Sequence, residues 1–372
     1  MRVHVVDPSA YTPPYDHALC ASLAAAGADV ELHTSRFAHG SVPAAEGYVR
    51  REDFYRLAAH VSAPRARRAV KLAEHVPDML RYRRRARTAD VVHFQWLSVQ
   101  HLDGRLLPRG RPLVLTAHDI LPREPRPGQL AAQRRLYERF DAVIVHSEHG
   151  AARLTRELDV PAQRVHVIPH GAFTYLAAGG QPAASSPPPA PVADEPPVVL
   201  CFGLMRPYKG IEDLLEAWRG IEGAELWIVG MARMDIAPLR AAAPPGVRFV
   251  ARFVSDEELA DYFRRAALIA LPYREADQSG VLFTALAFGR PLLLSDVGGF
   301  PELAAAGAAR VFPAGDVGAL ALALRELLAD GPRRAEMAAC AREAAGGRYS
   351  WAAAAAATLA LYESLLSENR GR

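Results

Sequence analysis

The chain has 372 residues, of which half are hydrophobic and 23% are charged, and its formal net charge is +3. This balance is typical of globular proteins and excludes disorder as the main state, and a length of roughly 150 residues per domain predicts two domains. No apolar run reaches the roughly 20 residues of a membrane span, and the first residues lack a signal-peptide pattern, so we expect a cytoplasmic protein.

Residues 1–175 alternate short β-branched runs with helical patterns, which is typical of a parallel sheet covered by helices on both faces. We therefore expect a doubly wound, Rossmann-like domain here. The predicted strands are residues 3–6, 30–33, 91–94, 113–116, 142–145 and 165–168, and the predicted helices include residues 16–26 and 129–140.

A strongly basic segment lies within this domain, because residues 64–87 carry nine Arg or Lys against only Glu74 and Asp78. A solvated basic face is the simplest interpretation, and a peripheral contact with an acidic membrane surface is the alternative. We expect Pro77 to interrupt any single amphipathic helix. No nucleic-acid motif accompanies the charge, so we expect no nucleic-acid partner.

Residues 176–197 contain seven prolines and almost no large apolar side chain, so we expect an extended linker. The β-branched runs and helical patterns resume after it and predict a second Rossmann-like domain over residues 198–348. The predicted strands are residues 198–202, 225–229, 247–250, 268–271, 291–295 and 310–312, and the predicted helices are residues 211–218, 257–265, 281–288 and 319–328.

A C-terminal segment, residues 349–372, contains a helical pattern over 351–366, and Ser350 is suited to cap this helix. The fold class is therefore α/β, with two doubly wound parallel-sheet domains. Such sheets bind ligands beyond the carboxyl ends of their strands, so we expect the site in a cleft that both domains face.

The loop after the first strand of the second domain carries two cations. Gly203 ends the strand, Arg206 and Lys209 follow, and a helix begins after Gly210. Cations beside a helix N-terminus form a natural anion site, although a solvated loop whose cations bind nothing is the alternative. Lys209 is one of only two lysines among 44 basic residues, which favours a specific role.

A second candidate loop follows the strand at 268–271. Glu275 and Asp277 provide carboxylates, and Ser279 and Gly280 begin a helix whose free amides can bind a diphosphate. Alternatively, Ser279 only caps the helix and the two acids complement its dipole. A third loop, at 295–303, has paired glycines that an ordinary turn explains equally well.

In the first domain, His118 and Asp119 follow a predicted strand in the motif T-A-H-D. All 13 histidines lie within residues 1–170, so a single histidine is a weak indication of a site. The three cysteines are far apart, and no HExxH or D-x-D motif occurs, so we predict neither a disulfide nor a metal site.

Seven short motifs together, in their order and spacing, resemble the retaining glycosyltransferases of family 4, which have the GT-B fold of two Rossmann-like domains. The motifs are T-A-H-D near residue 118, V-I-P-H-G at 167–171, F-G-L-M-R-P-Y-K-G at 202–210, S-D-E-E-L at 255–259, Q-S-G-V at 278–281, A-F-G-R-P at 287–291 and V-G-G-F-P-E at 297–302.

The resemblance implies that residues 1–175 bind an acceptor, that residues 198–348 bind a nucleotide sugar, and that the last helix crosses back to the first domain. Arg206 and Lys209 match the pair that holds the donor diphosphate, and His118 matches the histidine that faces the donor sugar.

Ser279, Gly280 and Val281 match the backbone segment that also meets phosphate in this family. The chain departs from the family pattern at Thr284, which stands where a ribose-binding Glu is usual. The first of the two usual Glu positions is Ala276, whose neighbouring carboxylates could hold sugar hydroxyls.

The loop after the first strand of the chain lacks the paired glycines that are common in this family. We expect Tyr11, Tyr15 and His17 to shape an acceptor pocket there instead.

The predicted function is transfer of a sugar, with retention, from a nucleoside diphosphate sugar of the UDP or GDP type to a hydroxyl acceptor. A glycan, a lipid-linked sugar and a small natural product are candidate acceptors. The cations and amides would serve in place of a metal, so we expect no metal and no cofactor. The alternatives are a sugar-nucleotide epimerase or phosphorylase, and an inactive nucleotide-sugar-binding protein. If the basic segment meets a membrane, it does so at the inner face.

Overall fold

A computed structural model of the chain describes residues 1–37, 42–121, 128–178 and 195–370. Most of the predicted proline-rich linker, residues 179–194, lies outside the described residues. A short helix, Thr174–Ala178, overlaps the first three positions of that predicted linker.

Thirteen strands and fourteen α-helices form within the described ranges. The strands are β1 (Arg2–Asp7), β2 (Asp29–Ser35), β3 (Val49–Phe54), β4 (Val91–Phe94), β5 (Leu113–Thr116), β6 (Ala142–Val145), β7 (Val165–Val167), β8 (Val198–Phe202), β9 (Glu225–Val229), β10 (Val247–Val250), β11 (Ala266–Leu271), β12 (Leu292–Ser295) and β13 (Ala309–Phe312). The helices are α1 (Pro13–Ala25), α2 (Pro64–Arg85), α3 (Gln100–Leu106), α4 (Gln129–Tyr137), α5 (Glu148–Glu157), α6 (Thr174–Ala178), α7 (Ile211–Ala217), α8 (Ala237–Ala242), α9 (Asp256–Arg265), α10 (Gly280–Ala287), α11 (Phe300–Ala304), α12 (Val317–Ala329), α13 (Gly331–Gly346) and α14 (Trp351–Arg370).

The chain divides into two compact units. The N-terminal unit comprises Met1–His170 together with Trp351–Arg372, and the C-terminal unit comprises Gly171–Ser350. Each unit has its own parallel sheet covered by helices, which confirms the predicted fold class.

The N-terminal sheet has the strand order β3-β2-β1-β4-β5-β6-β7. The chain reverses its winding direction between β1 and β4, and doubly wound sheets bind ligands at this switch point, beyond the carboxyl ends of the strands. The central strands are apolar and fully buried because helices cover both faces, which is why they could be predicted from the sequence.

Strand β3 was not predicted, because its sequence V-R-R-E-D-F has no apolar alternation. It lies at the edge of the N-terminal sheet and pairs only with β2. Its charged side chains pair with residues that are distant in sequence. Arg51 donates to Glu31 at 2.5 Å, and Asp53 accepts from Arg85. Charge pairing therefore takes the place of apolar burial in this strand.

The prediction that Pro77 interrupts the basic segment was wrong, because α2 is a single helix that contains Pro77. A proline in a helix removes one backbone hydrogen bond, and neighbouring contacts can offset that loss. The next residue, Asp78, accepts a hydrogen bond from the backbone N–H of Tyr55 at 2.7 Å. This contact ties the proline-containing turn to the rest of the N-terminal unit.

The C-terminal sheet has the strand order β10-β9-β8-β11-β12-β13, and its switch point lies between β8 and β11. One face of this sheet packs against α7 and α12, where Trp218 is fully buried among leucines from both helices. The six strands and the four helices predicted for this half of the chain are all confirmed.

Helix α14 belongs to the N-terminal unit, where it packs against α1. Trp351 contacts Tyr15 with a distance of 4.9 Å between ring centroids, and the Tyr362 hydroxyl lies 2.6 Å from Nδ1 of His93. The predicted helix over 351–366 is confirmed, and it continues to Arg370.

Among the described residues, no helix is both long enough and apolar enough to cross a membrane.

Two buried carboxyl groups meet where β1 runs into α1. Asp7 and Asp16 are both almost fully buried. The Asp7 carboxylate accepts hydrogen bonds from the backbone amides of Ser9, Tyr11 and Thr12, at 3.1, 2.6 and 3.2 Å. Burial and the neighbouring Asp7 raise the pKa of Asp16 well above its usual value. Burial raises the pKa of Asp7 as well, but three backbone amides and Asp16 favour its charged form, so Asp16 is the member of the pair that more readily keeps its proton.

We predict that Asp16→Asn stabilises the protein at neutral pH. The folded-state pKa of Asp16 lies above its unfolded value, so the free energy of unfolding decreases as pH rises from the unfolded toward the folded pKa. An amide cannot ionise and can still donate to Asp7, so the variant should be more stable than the wild type at pH 7, and the difference should grow as pH rises. Urea unfolding of both proteins at pH 5 and pH 8 measures the difference.

Asp261→Asn, at an exposed carboxylate, is the matched control and should leave the pH dependence unchanged. A lower stability of Asp16→Asn than of the wild type at pH 8 would contradict the assignment.

Candidate functional site

Lys209 lies at the carboxyl edge of the C-terminal sheet, at its switch point. The loop after β8 leads through Gly203, with φ of +114°, to a single 3₁₀ turn over Pro207–Lys209 and then into α7. Although Lys209 is in a loop, its side chain is only 8% exposed. Lysine is rarely buried without a specific partner, so the position is unusual for a structural loop.

The ammonium of Lys209 is held by the loop after β11. Its Nζ donates a hydrogen bond to the Tyr273 hydroxyl and lies 3.6 Å from the centroid of the same ring. The Tyr273 hydroxyl is in turn 3.2 Å from Oγ of Ser279, at the start of α10. A continuous polar chain therefore joins the cation of one loop to the helix that follows the other.

Gly210 allows the two loops to approach this closely. Its φ is +64°, and a Cβ at this position would overlap the carbonyl oxygen of Pro272. The backbone N–H of Arg274 also donates to the carbonyl of Tyr208 at 2.8 Å, and the Arg274 guanidinium donates to both carboxylate oxygens of Asp213, at 2.9 and 2.7 Å. Only glycine fits at 210, because both its conformation and its contact distance exclude a side chain.

The N-terminus of α10 has no side-chain cap. Ser279 occupies the N-cap position, but its hydroxyl bonds to Tyr273 instead of to the helix amides. The alternative that Ser279 only caps the helix was therefore wrong. The first amides of α10 remain available to an anion, and the helix dipole favours negative charge there.

Gly203, Lys209 and Val281 lie together. A Cβ added at Gly203 would be 3.3 Å from Cγ2 of Val281 and 4.0 Å from Nζ of Lys209. The structure thus brings the strand end, the lysine and the first turn of α10 to one place. Arg206, on the same loop, is exposed, and its guanidinium has no hydrogen-bond or ion-pair partner among the described residues, although its carbonyl accepts from the backbone N–H of Lys209 at 3.0 Å.

The carboxylates predicted near this place differ in their surroundings. Glu275 is exposed and Asp277 is half-buried. The loop that carries them is supported by Gly298, with φ of +55°, where a Cβ would overlap the carbonyl oxygen of Ala276. Thr284 is buried, and its hydroxyl donates to the carbonyl of Gly280 at 3.0 Å, so the hydroxyl proton is already used within the helix.

The N-terminal unit has a cavity of about 250 Å³ at its own switch point. Its polar and aromatic lining comes from the loops after β1, β4 and β5 and from α4, and it includes Tyr11, Gln95, Trp96, His118, Asp119 and Gln133. Tyr11 is exposed, and its ring centroid lies 5.2 Å from that of Trp96. The polar and aromatic lining is suited to a small hydroxylated ligand.

His118 is held in a defined orientation at this cavity. Its ring stacks on Trp96 with 5.0 Å between centroids and an interplanar angle of 14°, and its Nε2 lies 3.0 Å from Oε1 of Gln95. Burial, followed by the nearby His146, holds the pKa of His118 well below its usual value. The ring is therefore neutral at pH 7, with Nε2–H donated to Gln95 and the lone pair on Nδ1.

Tyr15 and His17 do not line this cavity, although the sequence predicted that they would contact an acceptor. Both are buried on α1. Tyr15 packs edge-on against His118, with 4.6 Å between centroids, and Nδ1 of His17 lies 3.1 Å from the Tyr48 hydroxyl. Tyr15 also contacts Trp351 of α14, which packs against α1, so both are packing residues. Tyr11 alone of the three reaches the cavity.

Four residues of the candidate donor site and the N-terminal cavity were not predicted from the sequence. Tyr273 stands in the motif L-P-Y-R-E, and Gln95 and Trp96 directly follow β4, so position after a strand was the available signal. Lys71, the second lysine of the chain, was counted only as part of the basic segment. Its Nζ lies 4.6 Å from the ring centroid of Tyr55 and 5.7 Å from that of Tyr11, beside the cavity.

Two family models match the chain. The model described as Glycosyltransferase Family 4 matches residues 15–174, and the model described as Glycosyl transferases group 1 matches residues 196–330. Together they cover most of both units.

Curated relatives and solved structures agree with these matches. D-inositol 3-phosphate glycosyltransferase of Xylanimonas cellulosilytica is 29% identical over 304 residues, which are 73% of this chain and 71% of the relative. Sucrose-phosphate synthase of Thermosynechococcus elongatus has a TM-score of 0.75 at 22% identity, over 99% of this chain and 100% of that chain. HepE of Anabaena, solved in complex with UDP, has a TM-score of 0.70 at 19% identity over the same shares.

The matches agree with the fold of each unit and with the ordered motifs of the sequence. The chain belongs to the glycosyltransferases of the family 4 type, which have the GT-B fold, and it is a glycosyltransferase.

Proposed function

We propose that the protein transfers a sugar, with retention of anomeric configuration, from a nucleoside diphosphate sugar to a hydroxyl acceptor, without a metal ion. The observation that carries this proposal is the buried ammonium of Lys209 beside the uncapped N-terminus of α10. The donor diphosphate binds to Lys209, to the exposed guanidinium of Arg206 and to the backbone amides of Ser279–Val281.

The chemistry follows from where charge develops. As the bond to the sugar breaks, negative charge grows on the departing diphosphate, so cations and amides already in place stabilise the transition state more than the ground state. Lys209 is fixed by Tyr273 before any ligand binds, so little reorganisation is needed. In a front-face substitution the leaving phosphate accepts the proton of the acceptor hydroxyl, and no protein nucleophile is required.

His118 contributes a hydrogen bond to the sugar. Its neutral ring, with Nε2–H held by Gln95, offers the lone pair of Nδ1 to a sugar hydroxyl. Glu275 and Asp277 accept hydrogen bonds from other hydroxyls of the donor sugar. The donor is of the UDP or GDP type, and because the Thr284 hydroxyl is bonded to Gly280, it offers the ribose only an acceptor.

We predict that Lys209→Ala lowers turnover by about two orders of magnitude, the usual effect of losing one preorganised donor at developing charge. Steady-state rates at saturating donor measure this. Arg219→Ala is the matched control, since it removes an exposed cation of the same unit that pairs with Glu216, and it should leave the rate within about twofold. An unchanged rate in Lys209→Ala would reject the role.

A second prediction concerns nucleotide and metal. In a thermal-shift panel of UDP-, GDP- and TDP-sugars, at least one donor should raise the Tm, because a ligand that binds the folded state stabilises it by mass action. The shift and the turnover should be the same with EDTA as with added Mg²⁺. Turnover that is lost in EDTA and restored by Mg²⁺ would contradict the absence of a catalytic metal.

The acceptor, we further infer, carries an acidic group. Residues 1–175 contain 25 Lys or Arg against 18 Asp or Glu. Lys71 lies beside the cavity with its pKa lowered by burial, and a second cavity of about 500 Å³ is lined by Arg105, Arg109, Arg135 and Arg139. The similar enzyme from Xylanimonas cellulosilytica is named for an inositol phosphate, which supports an acceptor of this kind.

We predict that Lys71→Met raises the KM for a phosphorylated acceptor about tenfold, the equivalent of one charge-assisted hydrogen bond, and leaves the donor KM unchanged. Methionine keeps the apolar stem that contacts Tyr55. Arg68→Met, at an exposed position one turn away on α2, is the control. The measurement is initial-rate kinetics with phosphorylated and neutral polyols, and a preference for the neutral polyol would contradict the inference.

When the acceptor is a lipid, α2 provides a membrane contact. Leu72, Val76 and Leu80 form an exposed apolar stripe along this basic helix at a spacing of four residues. A basic helix with such a stripe is suited to the surface of an acidic membrane. The protein then works in the cytoplasm, at the inner face of the membrane.

A further inference from the structure

Two histidines and a glutamate lie together on one face of the N-terminal sheet, away from the strand ends that form the cavity. His4 on β1 is directly opposite Glu31 on β2, and His33 is two residues further along β2. One ligand atom of each residue lies within 4.8 Å of the others. His4 and His33 are completely buried, and Glu31 is partly buried.

The cluster contains buried polar atoms that have no hydrogen-bond partner. Both ring nitrogens of His4 and Nε2 of His33 are in this position, and so is the hydroxyl of Tyr82, whose ring packs on both histidines. Buried polar atoms are nearly always satisfied, and each unsatisfied atom is costly. Four such atoms in one cluster indicate a missing partner, and each histidine has one ring nitrogen whose lone pair such a partner could bind.

The orientation of His33 is set from the other side of its ring. Its Nδ1 lies 2.9 Å from a carboxylate oxygen of Asp53 on β3, so Nδ1 carries the proton and Nε2 presents its lone pair to the cluster. Metal-binding histidines typically donate their second ring N–H to a carboxylate in this way. Asp53 is itself held by Arg85 of α2, which fixes the arrangement.

The spacing of the donor atoms fits a small tetrahedral ion. Nε2 of His33 lies 3.5 Å from Oε2 of Glu31. Two ligands at about 2.0 to 2.1 Å from a tetrahedral zinc ion are separated by roughly 3.3 to 3.4 Å, so this pair needs little movement. The ligand atoms of all three residues lie within 4.8 Å of one another, so His4 can close on the ion by a side-chain adjustment. Arg51 also donates to Oε2 of Glu31, which leaves the other carboxylate oxygen for a further contact.

We propose that His4, His33 and Glu31 bind a zinc ion that joins β1 to β2, with a water molecule as the fourth ligand. Two imidazoles and one carboxylate select zinc over magnesium or calcium, which prefer oxygen ligands.

The site is structural and takes no part in the transfer reaction. Its ligands lie in mid-strand, whereas the cavity residues follow the strand ends. The alternative to a metal is direct contact of His33 with both Asp53 and Glu31, which leaves both nitrogens of His4 without a partner, whereas a metal would bind one of them. The two alternatives differ in metal content.

Metal content tests the proposal directly. The full-length chain, with any purification tag removed, is stripped with a strong chelator, incubated with ZnCl₂ and desalted, and its zinc is measured by elemental analysis. We expect about one equivalent per chain and a rise in Tm of several degrees on zinc addition. Cobalt in place of zinc should give the visible absorption of a tetrahedral site.

Glu31→Gln and His33→Gln should lose the zinc uptake and the cobalt spectrum, whereas His60→Gln, at an exposed histidine, should keep both. If the first two variants misfold by circular dichroism, the wild-type measurement alone decides. No uptake by the wild type, or equal uptake by all three variants, would overturn the proposal. Stability lost in chelator should return with Zn²⁺ and not with Mg²⁺, which distinguishes this site from a catalytic metal.

Discussion

The contact between the loops after β8 and β11 is the constraint on which the candidate donor site depends. Gly210 permits it, because any side chain there would overlap the carbonyl of Pro272. The contact between the loops encloses Lys209, whose ammonium donates a hydrogen bond to the Tyr273 hydroxyl. The same hydroxyl contacts Oγ of Ser279, so Ser279 does not cap α10. One glycine thus positions a cation and leaves a helix N-terminus open.

The two units present opposite chemical groups at the switch points of their sheets. The C-terminal unit presents a fixed cation and unoccupied amides at its switch point, which suits an anion. In the N-terminal unit, the amides of the loop after β1 donate to the Asp7 carboxylate. Its cavity presents a neutral histidine and two aromatic rings instead, which suits hydroxyl groups. The Asp7 carboxylate therefore occupies the amides of the loop after β1 that could otherwise bind an anionic ligand.

The apolar central strands and the loop motifs could be predicted because their signals are local. The scarcity of lysine pointed to Lys209, and burial of that side chain agrees with a specific role. What could not be predicted depends on partners far along the chain. Tyr15 packs against Trp351 of α14, more than 300 residues away in sequence, His17 bonds to Tyr48, and β3 is held by charges on β2 and α2. The His4–Glu31–His33 cluster exists only through strand register, so no spacing in the sequence indicates it.

Strand β3 has a consequence for how the protein behaves in a crowded solution. The outer strand of a parallel sheet offers unpaired backbone groups to any extended chain that it meets. Here that strand carries two arginines and two acids in succession, Arg50 to Asp53, and docking a second strand would require these charges to lose water. The charges of β3 therefore disfavour pairing of this edge with a strand of another molecule, and the same charges bind β3 to β2 and α2.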